Sequence, residues 1–216
     1  MKFFLDTANI EEIKEAVQLG LVEGVTTNPL LASKEGGKDF ATMIKEIADI
    51  VPGPVSAELV STTFAEMVPE ARRLAKIAPN IVVKVPISIE GLKTIHALSK
   101  EGIKTNATLI FGANQGLVAA KAGATYISPF IGRLEDVNVD ALQMLTTLCD
   151  IINIHGLKTE IIAASVRTTA HATQAALAGA HIATVPYKVL LAMVEHPMTD
   201  IVNRIFMDAW NQSDLK

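Results

Sequence analysis

The chain has 216 residues, half of them hydrophobic and only 19% charged, with a mean hydropathy of +0.34 and a formal charge of −4. That balance, with no basic tract, few aromatic residues and no unbroken apolar run of bilayer length, excludes a nucleic-acid surface and a membrane span. A single cysteine, Cys149, excludes an intrachain disulfide framework and a cysteine metal cluster, and points to a reducing, cytoplasmic location.

From the first residues onward, short β-rich runs alternate with amphipathic stretches, the cadence of a parallel sheet. The opening run 2–6 ends in an acid, Asp6, where a secretory leader would continue its apolar core, so no targeting segment is expected. Strands are expected at 2–6, 24–28, 55–59, 81–86, 105–110, 126–130, 160–165 and 182–186. Helices are expected between them at 10–19, 40–50, 64–77, 89–100, 113–122, 139–154, 169–178 and 188–194, with one more from about 197 to 210. Thr63 with Glu66 reads as a capping box, and Gly102, Gly123 and Gly179 stand where left-handed helix caps would. No Pro/Gly/Ser-rich linker divides the chain. The expectation is one (β/α)8 TIM-barrel domain over 1–216, with 197–216 as a C-terminal helix and tail. The apolar surplus beyond one barrel core is assigned to subunit interfaces, hence a homo-oligomer.

The most informative run is Ile81-Val82-Val83-Lys84-Val85-Pro86, too short and too β-branched for a helix. A lysine in the middle of a buried strand is costly as a cation, and loss of its proton yields an amine nucleophile. The plainer reading is a lysine at a strand end that snorkels to water or closes an internal ion pair.

The other strand ends bear on that choice, because a (β/α)8 barrel carries its chemistry at the C-terminal ends of its strands. Those ends hold Asp6, Thr26 with Asn28, Glu58, Lys84, Asn106 with Thr108, Ser128 and Ser165. Side chains two apart share a face, so Lys84 falls on the side of Val82 and Pro86. Phe4 with Asp6, Ser56 with Glu58, and Asn106 with Thr108 follow the same parity. Turned outward, these polar groups would meet the apolar helix layer unpaired, so the inward assignment is preferred.

Each residue also has a plainer role. Asp6 could cap the following helix, in competition with Thr7 and Asn9, and Thr26-Thr27-Asn28-Pro29 could be an ordinary turn. Glu58 in an apolar strand needs a partner, and the inward Lys84 is the nearest. Arg133 and Arg167, just beyond two strand ends, suit a phosphate but also a surface ion pair. The five histidines have no metal-ligand spacing and read as structural or surface residues.

Four ordered motifs, Leu5-Asp6-Thr7-Ala8, Gly24-Val25-Thr26-Thr27-Asn28-Pro29, the Lys84 strand and Ser128-Pro129-Phe130-Ile131-Gly132-Arg133, resemble the transaldolase family in its short form, over essentially the whole chain. The resemblance implies a barrel in which Lys84 forms a Schiff base, Asp6 is an acid/base, and Glu58 works through a water oriented by Thr108. It implies that Asn28, Asn106, Thr108 and Ser165 position substrate and that Arg133 and Arg167 hold its phosphate. Thr26, Ser128 and Phe130 complete the substrate-binding set. The substrates implied are sugar phosphates, no metal or organic cofactor is implied, and the assembly implied is a pentamer or decamer with the C-terminal helix on a neighbour. In the aldolase branch of this family a glutamine replaces the acid on strand three and a tyrosine the phenylalanine on strand six. This chain has Glu58 and Phe130, with Asn106 and Ser128 of the transaldolase branch, which implies transfer of a three-carbon unit over simple cleavage.

Overall fold

A computed structural model describes residues 1–214. Its eight strands are β1 (Lys2–Asp6), β2 (Val22–Thr26), β3 (Val55–Glu58), β4 (Ile81–Pro86), β5 (Thr105–Ile110), β6 (Tyr126–Pro129), β7 (Glu160–Ala163) and β8 (Ile182–Val185). They pair in parallel in chain order, and β8 closes on β1, so the expected barrel is formed. The helices are α1 (Ile10–Gln18), α2 (Pro29–Lys34), α3 (Phe40–Ile50), α4 (Phe64–Ala75), α5 (Ile89–Lys100) and α6 (Ala113–Ala122), then α7 (Ile131–Glu135), α8 (Ala141–Ile154), α9 (Thr169–Leu177), α10 (Tyr187–Ala192) and α11 (Pro197–Gln212). The expected C-terminal tail ends at 216, so its last two positions lie outside the described residues.

Two short helices, α2 and α7, were not expected. Six and five residues are too few to show a helical period, and α2 buries no residue at all. What makes α2 is local chemistry: Asn28 accepts the Leu31 N–H at 2.9 Å as its N-cap, and Pro29 sits at its first position. Asn28 therefore leaves the strand, and β2 runs from Val22 to Thr26 instead of 24–28. The Thr63–Glu66 capping box is not formed. The Thr63 hydroxyl donates to the Glu66 carboxylate at 2.7 Å, while the Phe64 N–H is taken by Glu90. Gly102, Gly123 and Gly179 do adopt positive φ (72°, 102° and 85°), as helix-ending glycines should.

The barrel encloses an apolar floor formed by Phe4, Val82, Tyr126, Ile162 and Ile182, in which the Phe4 and Tyr126 rings meet edge to face at 6.3 Å. A larger core lies between the outer face of the sheet and the helices. The floor is closed from β2 by a missing side chain, since a Cβ on Gly24 would stand 2.6 Å from the Phe4 ring. Phe4 is buried among neighbours and has nowhere to go. Gly24→Ala is accordingly expected to destabilise the fold by about 1–3 kcal/mol, the usual cost of overpacking, as a lower denaturant midpoint with unchanged slope.

Candidate active site

Register sets the site. Glu58 lies beside Lys84, Lys84 beside Asn106, and Asp6 beside Thr26 on neighbouring strands, one layer above the apolar floor. Lys84 is 4% exposed. Its Nζ lies 2.9 Å from Glu58 Oε2 and donates to the Thr27 carbonyl at 3.0 Å. Thr27 is held for this task by its own N–H and hydroxyl, both bonded to the Ser56 carbonyl at 3.1 and 2.8 Å. The buried ammonium is thus paired and further hydrogen-bonded, the condition under which a buried charge is tolerated. Lys84 does not snorkel to water: it is buried within β4 and closes the internal ion pair that was the plainer reading of its strand.

Asp6 does not cap α1; Asn9 does, accepting the Glu11 and Glu12 N–H groups at 3.0 Å. Instead Asp6 accepts the Thr26 hydroxyl at 2.8 Å, and Thr26 in turn meets Thr184 at 2.6 Å. Asp6 reaches the cavity with one edge and is otherwise enclosed. Burial raises its pKa above the ordinary carboxyl value, Lys84 and Thr26 oppose that shift, and the nearby Glu58 charge adds to it.

A second chain of polar groups runs the other way. Ser128 donates to Asn106 at 2.7 Å, and Asn106 donates to Ser56 at 3.2 Å. The Thr108 hydroxyl is fully buried and has no protein partner among the described residues. Just beyond it the β5–β6 register shifts and Leu109 takes φ of 60°, a strained conformation for leucine.

Part of this constellation opens onto a cavity of about 200 Å³ at the C-terminal mouth. Of the twelve expected site residues, Asp6, Thr26, Asn28, Lys84, Ser128, Phe130, Arg133 and Ser165 line it. Asn106 and Thr108 do not line it, and Glu58 faces a neighbouring cavity beside α2, with Phe40 and Met43. Arg167 stands apart as well: its guanidinium is held bidentately by Asp136 at 2.5 and 2.7 Å, and Asp136 lies 3.5 Å from Arg133. These pairings hold the Asp136 carboxyl below its usual range and raise Arg167 further.

Thr184, the Thr27 carbonyl, Leu30, Leu31 and Asp136 escaped the sequence reading. For Thr184 a signal existed, because it shares the inward parity of Ile182 on β8. For Leu30, Leu31 and Asp136 there was none, since they belong to or directly follow the two helices too short to be seen.

A closed (β/α)8 barrel with a buried lysine, two acids and an arginine gathered at its C-terminal mouth defines a class: barrel enzymes that work at the carboxyl ends of their strands. Within it, residues 3–214 match the family described as Transaldolase/Fructose-6-phosphate aldolase, and the chain belongs to that family. It is 58% identical to a probable transaldolase of Thermoanaerobacter sp. (strain X514) over 216 residues, all of both chains. Against a probable transaldolase of Geobacillus thermodenitrificans the identity is 57% over 212 residues, 98% of this chain and 99% of the relative. A probable transaldolase of Streptococcus pyogenes serotype M2 is 58% identical over 210 residues, covering 97% and 98%.

Because the folded protein holds the Asp6 proton more tightly than the unfolded chain does, Asp6 contributes most stability in acid. That contribution falls as pH rises from about 3.8, the ordinary value, through the higher folded one. Asp6→Asn removes the buried charge. In denaturant titrations across pH the variant is expected to gain stability over wild type toward neutral pH, and to lose that advantage in acid.

Proposed function

We propose that the protein is a transaldolase. It moves a dihydroxyacetone unit from a ketose phosphate, sedoheptulose 7-phosphate or fructose 6-phosphate, to an aldose phosphate, glyceraldehyde 3-phosphate or erythrose 4-phosphate. The observation that carries this reading is Lys84, buried in β4 with Glu58 at 2.9 Å and opening onto the same cavity as Asp6. The names of the relatives agree with it.

In the proposed sequence Lys84 first gives its proton to Glu58, the carboxylate in contact with it, and becomes the nucleophilic amine. The amine attacks the ketose C2 carbonyl. The carbinolamine expels water with protons relayed through Glu58 and a water held by Thr108, whose buried hydroxyl is free of protein partners among the described residues. The resulting iminium is an electron sink. Asp6 takes the C4 hydroxyl proton as the C3–C4 bond breaks, the electron pair flows into the iminium, and an aldose phosphate leaves. A carboxyl whose pKa is raised by burial is suited to accept that proton. Thr26, Asn28, Asn106 and Ser128 position the hydroxyls. Ser165 and Arg133 meet the phosphate at the cavity rim, with Arg167 behind them. The three-carbon unit then waits on Lys84 for an acceptor. Phe130, packed edge to face on Phe111 at 5.8 Å, brings no hydroxyl that would protonate the waiting carbanion, which favours transfer over fructose 6-phosphate cleavage.

The assembly belongs to the same proposal. Met198, Ile201, Ile205, Phe206, Met207 and Trp210 of α11 are each about half exposed or more, and no residue of α11 is buried. Such an apolar face marks an interface, and we assign it to a homo-oligomer, a pentamer or decamer, in the cytoplasm. Among the described residues no helix is long and apolar enough to cross a membrane.

Borohydride with fructose 6-phosphate is expected to leave a three-carbon adduct that maps to Lys84, and Lys84→Met to lose both adduct and turnover, by more than about 10³-fold. An acceptor aldose should be required for rapid fructose 6-phosphate consumption; fast consumption without one would assign the chain to aldol cleavage. Phe206→Asp is expected to lower the molecular mass measured by light scattering while the thermal transition of the barrel persists.

A further inference from the structure

The exits of β6 and β7 are fastened together by contacts that the proposed chemistry does not use. Phe130 bridges Ala164, and the Ile131 N–H donates to the Ala164 carbonyl at 3.0 Å. Gly132 lies so close to the next turn that a Cβ would stand 2.3 Å from the Ser165 carbonyl oxygen. Ser165 itself takes φ of 60°, a left-handed conformation that a serine holds only when its surroundings impose it. Across this seam the end of α7 offers two consecutive acids. Asp136 grips the Arg167 side chain, and Glu135 Oε2 lies 2.7 Å from Nε2 of His171.

His171 is the one buried histidine of five, 7% exposed, and its Nδ1 accepts the backbone N–H of Arg167 at 3.2 Å. A backbone N–H can only donate, so in this contact Nδ1 is the unprotonated nitrogen. The ring proton is then on Nε2, donated to Glu135. Helix α9 does not need this arrangement, because Thr168 already caps it by accepting the His171 N–H at 3.2 Å. The imidazole reaches one residue further back, into the turn that carries Ser165 to the cavity. The Asp136–Arg167 pair on the other side is about 40% exposed at both partners, and exposed pairs hold weakly. The buried histidine is therefore the firmer of the two fastenings.

We propose that His171, oriented by Glu135, is a positioning residue for the phosphate end of the substrate, fixing the backbone of the Ser165–Arg167 turn in the shape that presents Ser165 to the cavity. This rests on the reading that Ser165 and the two arginines meet a phosphate.

The test is steady-state kinetics with fructose 6-phosphate and an acceptor, inhibition by inorganic phosphate, and the rate at which cyanoborohydride traps dihydroxyacetone, which has no phosphate, on Lys84. His171→Ala is expected to raise KM and the phosphate inhibition constant together by about tenfold, as misplaced contacts do, with kcat and the trapping rate within about twofold of wild type. His171→Asn keeps an acceptor near the Nδ1 position and should restore both constants to near the wild-type values. Unchanged KM in His171→Ala, an equal loss in dihydroxyacetone trapping, or no rescue by asparagine overturns the proposal. Arg133→Ala separates the two claims. If it leaves KM and phosphate inhibition unchanged, the phosphate reading falls and this inference with it; if it weakens both while His171→Ala does not, only the inference falls. Should His171→Ala fail to fold, Glu135→Ala at the exposed partner replaces it, with the same parallel rise expected at about threefold and an unchanged KM overturning the proposal.

Discussion

The buried pair of Lys84 and Glu58 is the constraint on which the rest of the structure depends. Their side chains are 6% and 11% exposed, 2.9 Å apart, inside a barrel. Two charges withdrawn from water this far cost several kcal/mol each, and only close mutual contact with further hydrogen bonds offsets that. Contact requires β3 and β4 to pair with Glu58 opposite Lys84, and the Thr27 carbonyl must reach the same ammonium from the end of β2. A slip of one residue would send the lysine into the helix layer. The second acid, Asp6, follows from the same arithmetic. One cation faces two carboxyls, so burial and the Glu58 charge keep Asp6 closer to its neutral form than an exposed aspartate would be.

The interior is consequently graded along the barrel axis. At the bottom Phe4, Val82, Tyr126, Ile162 and Ile182 exclude water. Above them lies a layer of hydroxyls, an amide and charges joined in three separate groups, Asp6 with Thr26 and Thr184, Glu58 with Lys84, and Ser128 with Asn106 and Ser56, while the Thr108 hydroxyl has no protein partner among the described residues. At the rim, Arg133 and Ser165 face outward with Arg167 held behind them. Asp6, Glu58 and Lys84 stand on rigid strands, whereas Arg133, Ser165 and Arg167 stand on the segments that follow strands, the usual division between scaffold and rim in barrels. The two strained non-glycine residues at strand exits, Leu109 and Ser165, each cost of order 1–3 kcal/mol and stand directly beside Thr108 and at the cavity edge. The stability spent on them comes from the broad core between sheet and helices.

The seam between β6 and β7 shows how such strain is held. It uses a missing side chain at Gly132, a backbone bond from Ile131 and a buried imidazole at His171. Little of that can be read from residue types. A histidine three residues into a helix, with no partner spacing, looks like a surface residue until the acid from α7 is seen to meet it.

What the sequence determined by itself was the cadence and the parity. Eight short β-rich runs with helices between them, in a chain that no linker divides, point to a parallel sheet covered by helices and to a (β/α)8 barrel over an open doubly wound sheet. The period of two then assigns Asp6, Glu58, Lys84, Asn106 and Thr108 to the inner face. The boundaries of β1, β4 and β5 and of α3, α5 and α6 were legible for the same reason: proline, glycine or capping residues end them locally. What only the tertiary structure decided was everything that depends on two distant segments meeting. Thr184 against Thr26, the Thr27 carbonyl against Lys84, Asp136 across Arg167, Glu58 turned to a different cavity from its partner, and His171 beneath the Ser165 turn are each set by closure of the ring and by α2 and α7. Those helices are too short to impose a period on the chain, and contacts between residues so far apart in sequence carry no local signal.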